Sequence, residues 1–178
     1  MHLIIFCNYV YQVDELVVNK LFRYDKETGD LIRKVTVSPT GKAGNKAGSL
    51  YETGYLRTCI EGRMYRNHRI IFLMHNGYLP ACLDHIDTNK SNNLIENLRP
   101  ATPSQNQHNR RLQSNNTSGV KGVIWNVKKK KWQAQVKTKG HQQHLGYFEN
   151  ILEAETVVRE AREQLHGAFV NHGVCEEF

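Results

Sequence analysis

The sequence predicts an α+β protein in three parts, and three observations carry that expectation. The first third is filled by short alternating segments punctuated by Gly and Asp. The middle holds a short apolar helical pattern, opened by Asn67, running through Ile70, Ile71, Phe72, Leu73 and Met74 and closed by Gly77. The last third reads as three strands followed by one amphipathic helix. The expected boundaries are a β-rich region over residues 1–62, a central unit over 63–112, a linker over 113–118, a C-terminal module over 119–172 and a tail over 173–178.

In the first region, Leu21-Phe22-Arg23-Tyr24 and Leu31-Ile32-Arg33-Lys34 flank a turn-rich connection and predict two short strands. Tyr55 to Ile60 alternates in character, Glu61-Gly62 follows, and Arg63-Met64-Tyr65-Arg66 returns, which predicts a hairpin. Gly41, Gly44 and Gly48 with Lys42 and Lys46 make a basic loop. In the central region Asn67 is placed as the N-cap of the helix. A second helix starts near Pro103-Ser104 and passes through Asn106 and His108.

The C-terminal module is expected to form strands over 120–125, 132–138 and 141–148, with turns at Lys128 to Lys131 and at Lys139-Gly140. Asn150 and Glu153 give a capping-box start to its helix. Ala154, Val157, Val158, Ala161 and Leu165 fall on one stripe, and Gly167 ends it. In the middle strand Trp132, Ala134 and Val136 share one face, and Gln133, Gln135 and Lys137 share the other. The first set can pack on the helix and the second is left for a partner. Trp125 and Trp132 are expected to pack rather than stack on bases.

Charge narrows the partner. The 178 residues carry a net charge of +7, with a pI near 9.3, which favours nucleic acid or an acidic membrane surface. From Asn97 to Phe148 there is no Asp or Glu, while Arg99, Arg110, Arg111, Lys121, Lys128 to Lys131, Lys137 and Lys139 lie in that stretch. A one-sign segment of this length is an electrostatic footprint for phosphate. Cys7, Cys59, Cys82 and Cys175 form no CxxC pair, so no structural zinc is expected and reduced thiols are. No apolar run has the length of a bilayer span, and the opening residues lack a signal peptide's basic start. The expectation is an intracellular protein with no membrane partner and no obligate protein partner.

The chemistry concentrates in one stretch: Asp84-His85-Ile86-Asp87, Asn89-Lys90, Asn92-Asn93, Glu96-Asn97-Leu98-Arg99 and Ser104-Gln105-Asn106-Gln107. Phosphodiester hydrolysis needs an activated water, an offset for the charge of the transition state and a stabilised leaving oxygen. A neutral His can take the proton, and a hard cation on oxygen ligands can serve the other two needs. Together these residues resemble the HNH, or His-Me finger, endonucleases of the phage and intron-encoded homing type. The likeness covers roughly residues 65–111, with Asn67-His68-Arg69 also in pattern.

That resemblance implies a ββα-metal fold for the central unit. It implies His85 as the general base, Asp84 as ligand to one divalent cation (magnesium or manganese), Asn97 as the residue fixing the loop that carries the base, and Asn106 as the second ligand. His108 is the rival for that last role. Arg99 is open between a phosphate contact and a fold-supporting ion pair, His68 is expected to pack, His75 to contact the helix end and Asp87 to sit in a turn. Cleavage leaving a 5′-phosphate and a 3′-hydroxyl is implied.

A second resemblance covers nearly the whole C-terminal module. Gly119-Val120-Lys121-Gly122-Val123, Trp132-Gln133-Ala134-Gln135-Val136, His144-Leu145-Gly146-Tyr147-Phe148, the Ala-containing helix and His166-Gly167 resemble the apetala-two/ethylene-response-factor DNA-binding domain. It implies duplex-DNA contacts from Lys121, Asn126, Gln133, Gln135, Lys137, Gln142 and His144. The sheet has fewer Arg residues than the plant pattern. The function expected is therefore an endonuclease, nicking or site-specific homing, acting on double-stranded DNA, in the cytoplasm of a bacterial host if phage-encoded. The competing expectations are a DNA-binding regulator on an inert HNH fold and an RNA-directed protein. Target sequence, strand number and oligomeric state are not legible at this level.

Overall fold

The computed structural model describes residues 13–138 and 140–173. Expectations for the opening segment, Cys7, Lys139, Cys175 and the tail from residue 174 lie outside them. The fold is mixed α/β: among the described residues there are four helices and four small sheets. The chain forms two compact units, one built from the residues up to Leu79 with Lys90–Leu98, the other from Pro80–Asn89 with Arg99 onward.

The first element among the described residues is a helix that the strand-rich reading did not foresee, α1 (Glu15–Leu21). The Asp14 carboxylate accepts from the Leu16 amide at 2.8 Å, Glu15 stands in the first turn and Lys20 in the last, and Val18 is fully buried. Seven residues are too few to show a period, so capping and the single buried side chain define this helix. The expected first pair follows as β1 (Phe22–Asp25) and β2 (Asp30–Arg33), antiparallel, with Phe22, Leu31 and Ile32 buried. The basic loop then doubles back on β2: the Ala47 amide donates to Leu31 O at 2.7 Å, and Lys46 pairs with Asp30.

β3 (Ser49–Leu50), β4 (Leu56–Ile60) and β5 (Arg63–Arg66) form an antiparallel sheet. Its β4–β5 hairpin turns through Glu61 and Gly62, both at positive φ, as a two-residue mirror-image turn requires. α2 (Asn67–Asn76) begins at the next residue and buries Ile70, Ile71, Phe72 and Leu73 against α1, β4 and β5. Gly77, in the left-handed region, closes it as expected.

Asn67 is not the N-cap. Arg66 occupies that position without a side-chain bond, and Asn67 is the first helical residue. Its buried carboxamide accepts from Thr58 Oγ1 at 2.8 Å and donates to Ala47 O at 2.8 Å. Satisfying this buried amide at both ends ties β4, the loop before β3 and the helix start together, which outweighs a solvent-side cap worth about 1 kcal/mol.

In the second unit β6 (Cys82–His85) pairs with β7 (Leu98–Ala101), and α3 (Pro103–His108) packs on β6. Thr102 and Gln105 complete a reciprocal capping box, with Pro103 in the first turn, so a six-residue helix is held at its start. Residues 116–118 fold onto the segment that leads into the C-terminal sheet: Asn116 Nδ2 donates to Val120 O at 3.1 Å, and the Ser118 hydroxyl to Val123 O at 2.6 Å.

The C-terminal sheet has the order β10 (His141–Phe148), β9 (Lys131–Thr138), β8 (Val123–Asn126), all antiparallel. α4 (Ile151–His166) lies on it, capped by Asn150 through the Leu152 amide at 2.9 Å. The core is Val123, Ala134, Ala154 and Val158, surrounded by Val120, Trp132, Leu145, Phe148 and Ile151. The buried line of α4 is Ala154, Val158 and Arg162, at a strict spacing of four, and Leu165 is 42% exposed. The expected stripe is thus corrected at its C-terminal end. Arg162 lays its stem inside and spends its guanidinium on Lys121 O and on His172 Nδ1 at 3.0 Å.

Candidate functional site

Asp84 and His85 are the last two residues of β6, and both are buried although successive strand residues point to opposite faces. Both sides of this strand end are therefore covered. One carboxylate oxygen of Asp84, Oδ2, accepts three bonds: from Arg99 Nε at 2.9 Å, Arg99 Nη2 at 2.8 Å and Asn109 Nδ2 at 2.9 Å. Oδ1 takes part in none of the three. Arg99 stands on β7, beside β6, so the ion pair crosses two neighbouring strands. Of the two roles left open for Arg99, the structure places it in the ion pair.

Asn109 was not singled out in the sequence, yet it organises this strand end. It is buried, and its amide also donates to His85 O at 2.8 Å and to Ile86 O at 3.3 Å. The backbone then turns, with Thr88 N donating to His85 O, and Asp87 accepts from Asn89 N at 2.8 Å, the turn role expected of it. Three residues beyond Asn106 in sequence, Asn109 had only a helix C-cap to recommend it.

A strap at the C-terminal end of α4 supports these holders. Arg99 Nη1 donates to Ala168 O, and its guanidinium lies 3.8 Å from the Phe169 ring centroid. Asn171 Nδ2 donates to Asn109 O and Oδ1, each at 3.2 Å. The Lys121 ammonium donates to Asn171 O, His108 O and Arg110 O at 2.6–2.9 Å. Burial, with the charge of Arg162 beside it, pushes the Lys121 amine down to about 8. All three Lys121 donors go to carbonyls, so this expected DNA contact has its ammonium engaged within the protein.

Asn106 lies on α3, half-buried, and its side chain makes no hydrogen bond among the described residues. His108, its rival as metal ligand, stacks on His166 at 3.7 Å with planes 6° apart, and its Nε2 is 3.4 Å from Ser104 Oγ. Burial, then the Lys121 charge, lowers the His108 imidazole. His166 is pushed down to about 4, chiefly by burial and further by His108, Arg162 and Lys121, against its hydrogen bond to Lys137 O. These rings border a cavity of about 290 Å³ that also reaches Lys121, Gln135 and Arg162. Among the described residues no group of three or more His, Cys, Asp or Glu side chains could hold a metal ion.

Asn97 is described in the first unit. It is buried at the end of a 3-10 turn (Ile95–Asn97), and its Nδ2 donates to Asn92 O at 2.9 Å, closing its own loop. In the same unit Tyr24 Oη accepts from Ile95 N at 3.0 Å, His68 is buried with its ring 5.2 Å from Tyr55, and His75 Nδ1 lies 2.9 Å from Ile71 O at the helix end.

The face of the C-terminal sheet away from α4 carries Asn126, Gln133, Gln135, Gln142, His144 and Lys137, as the alternation predicts. Four of these form one chain of amides. Asn126 donates to Gln133 at 3.1 Å, Gln133 to Gln135 at 3.4 Å, and Gln142 to Gln135. Lys129 Nζ sits 4.0 Å from the Tyr147 ring centroid, and His144 packs on the same ring. Trp125 and Trp132 meet edge to face at 5.0 Å, and Cys59 and Cys82 are free thiols.

Comparison with known proteins agrees on the central motif. A family model described as HNH endonuclease matches residues 65–108. Protein 3.8 of Escherichia phage T7 is 35% identical over 106 residues, 58% of this chain and 87% of that protein. An HNH endonuclease of Acanthamoeba polyphaga mimivirus is 39% identical over 79 residues, and the chain spans only 42% of its length. No solved structure matches. No helix among the described residues is long and apolar enough to cross a membrane. With the Asp84-His85 strand end and α3 both inside the matched segment, the chain carries an HNH endonuclease domain over residues 65–108 and belongs to the same family as protein 3.8 of phage T7.

Proposed function

We propose that the chain is a metal-dependent DNA endonuclease, a nicking or site-specific homing enzyme, which cuts at Asp84-His85 and holds duplex DNA with its C-terminal sheet. The observation that carries this reading is the division of labour on Asp84. Arg99 and Asn109 saturate Oδ2, which leaves Oδ1 as an oriented oxygen donor. Asn106, on the helix packed against the same strand, offers an amide oxygen with no hydrogen-bond partner among the described residues. A donor set of oxygens from one carboxylate and one amide fits a hard cation such as magnesium or manganese, with most coordination positions left for water and phosphate. Held there, the cation would offset phosphate charge and stabilise the leaving 3′-oxygen.

The protein's own residues supply the rest. His85, fixed in backbone by Asn109, takes the proton of the attacking water on its imidazole. The commitment of His108 to His166 favours Asn106 over His108 as the second ligand. Asn97 keeps its loop closed through Asn92 O. The parts proposed are a DNA-contacting region over 1–62, the nuclease over 63–112 and the DNA-binding module over 119–172.

The test is cleavage of supercoiled plasmid with and without magnesium. Magnesium-dependent nicking or linearisation, lost in His85→Ala while duplex binding persists, is the expected result. A wild-type chain that binds duplex and never cuts it would instead establish the alternative, a DNA-binding regulator on an inert HNH fold.

A further inference from the structure

The amide chain on the exposed sheet face has a chemistry of its own. β8, β9 and β10 contain no Arg, Asp or Glu. Guanine is read in the major groove most often by Arg or Lys reaching O6 and N7, and cytosine by a carboxylate accepting from N4. The middle of this face offers neither. It offers four carboxamides, and a carboxamide matches adenine, donating to N7 and accepting from N6.

The bonds within the chain decide which amide atoms are left for a partner. Gln135 uses only its oxygen, accepting from Gln133 and Gln142, so both hydrogens of Nε2 remain. Gln142 uses one hydrogen, so its oxygen remains. A donor and an acceptor on neighbouring strands are thus held in fixed orientation before any partner arrives, which reduces the ordering cost of binding. Asn126 is fixed in turn by accepting from the Lys129 amide at 3.0 Å.

The second half of an A·T pair has a match as well. Ile124 stands directly across from Gln133 in the β8–β9 register and is 44% exposed. An aliphatic side chain beside an amide on one sheet face suits the thymine C5-methyl, which lies beside the adenine edge in the major groove. Lys128 to Lys131 at the β8–β9 end and Lys137 at the other place positive charge around this neutral centre, as a groove walled by phosphates requires.

We infer that the Asn126–Gln133–Gln135–Gln142 face, with Ile124, reads A·T pairs in the major groove of duplex DNA. The inference rests on the proposed DNA-binding role of this module and specifies what it recognises.

The experiment is selection of bound sequences from random duplexes by the full chain in EDTA, where cutting is suppressed, followed by anisotropy on the selected site at fixed salt. The expected core contains A·T pairs. Replacing their adenines by 7-deazaadenine, which removes N7, should weaken binding at least about 5-fold and by no more than the ~150-fold of a whole bidentate contact. Replacing thymine by uracil should weaken it by a smaller factor, and that factor should vanish in Ile124→Ala. Gln135→Ala should lose the 7-deaza effect while keeping salt-dependent binding. A G·C core, no preferred core, or an A·T core indifferent to both base analogues overturns the inference while the DNA-binding reading stands. Absence of any duplex binding overturns both. The base analogues act on the DNA, so this result does not depend on a variant folding.

Discussion

The side-chain amide of Asn109 reaches back twenty-five residues to Asp84 Oδ2 at 2.9 Å. The same nitrogen donates to His85 O at 2.8 Å. One buried side chain therefore fixes both the carboxylate and the backbone of the residue proposed as the base. Asn109→Ala should leave up to three buried acceptors short of a donor and cost about 2–3 kcal/mol of stability. Urea melts measure this, and cleavage below the melting range should fall further than the folded fraction. Asn109→Asp should be worse, because it sets a second carboxylate beside Asp84.

Arg99 is the other holder, and its guanidinium gives two donors to one oxygen. Arg99→Met should strand a buried carboxylate and cost about 3–5 kcal/mol. Arg99→Lys keeps the charge but not the fork, and an intermediate loss is expected. If Arg99→Met and Arg99→Lys melt together, the pairing geometry described for Asp84 is wrong.

His166 sets a pH dependence. Its folded-state pKa, about 4, lies below the ordinary 6.5, so the unfolded chain takes up the proton first as pH falls. Its contribution is fully present above pH 6.5 and is lost progressively as pH falls toward 4. Among the described residues the buried Nδ1 has no hydrogen-bond partner, and burial outweighs the one bond that favours the protonated ring, that of Nε2 to Lys137 O. His108 and His172 are shifted in the same direction. Denaturant melts at pH 7.5, 5.5 and 4.5 should show a smaller acid loss in His166→Phe, which keeps an aromatic ring against His108, than in the wild type.

Gly122 separates steric from conformational cost. It sits at φ +80°, and a Cβ there would lie 2.5 Å from Gln135 O and 3.0 Å from Val158 Cγ2. Gly119, at φ +75°, has nothing within 4 Å of the same position. Gly119→Ala should cost about 1 kcal/mol of backbone strain, whereas Gly122→Ala should exceed about 3 kcal/mol because strand β9 must shift as well. Paired thermal melts decide it.

What the sequence revealed divides along a physical line. The Glu61-Gly62 hairpin, the helix ended by Gly77, the Pro103 helix and the three-strand module all announce themselves through neighbours in sequence: turn residues, caps and alternation. The misreadings arose where a distant partner overrode a local preference. Asn67 looked like a cap until Thr58 and Ala47 claimed its amide, and Arg162 took the buried place that periodicity gave Leu165. At the site, Asp84, His85 and Asn106 were legible as a motif. The hold of Arg99 and Asn109 on Asp84 was not, since bonds across fifteen and twenty-five residues leave no spacing to read. Lys121 was expected as a duplex-DNA contact in a basic stretch, and only the fold shows its ammonium closed in by three carbonyls.

The strap from Ala168 to Gly173 bears on how this architecture can be rearranged. Its residues contact Arg99, Asn109 and Lys121, which lie up to seventy positions earlier in the chain. A graft of residues 80–112 onto a foreign DNA-binding partner would leave Arg99 without Ala168 and Phe169, and Asn109 without Asn171. Exchange of targeting modules, by recombination or by engineering, would therefore have to carry both stretches together or rebuild those contacts.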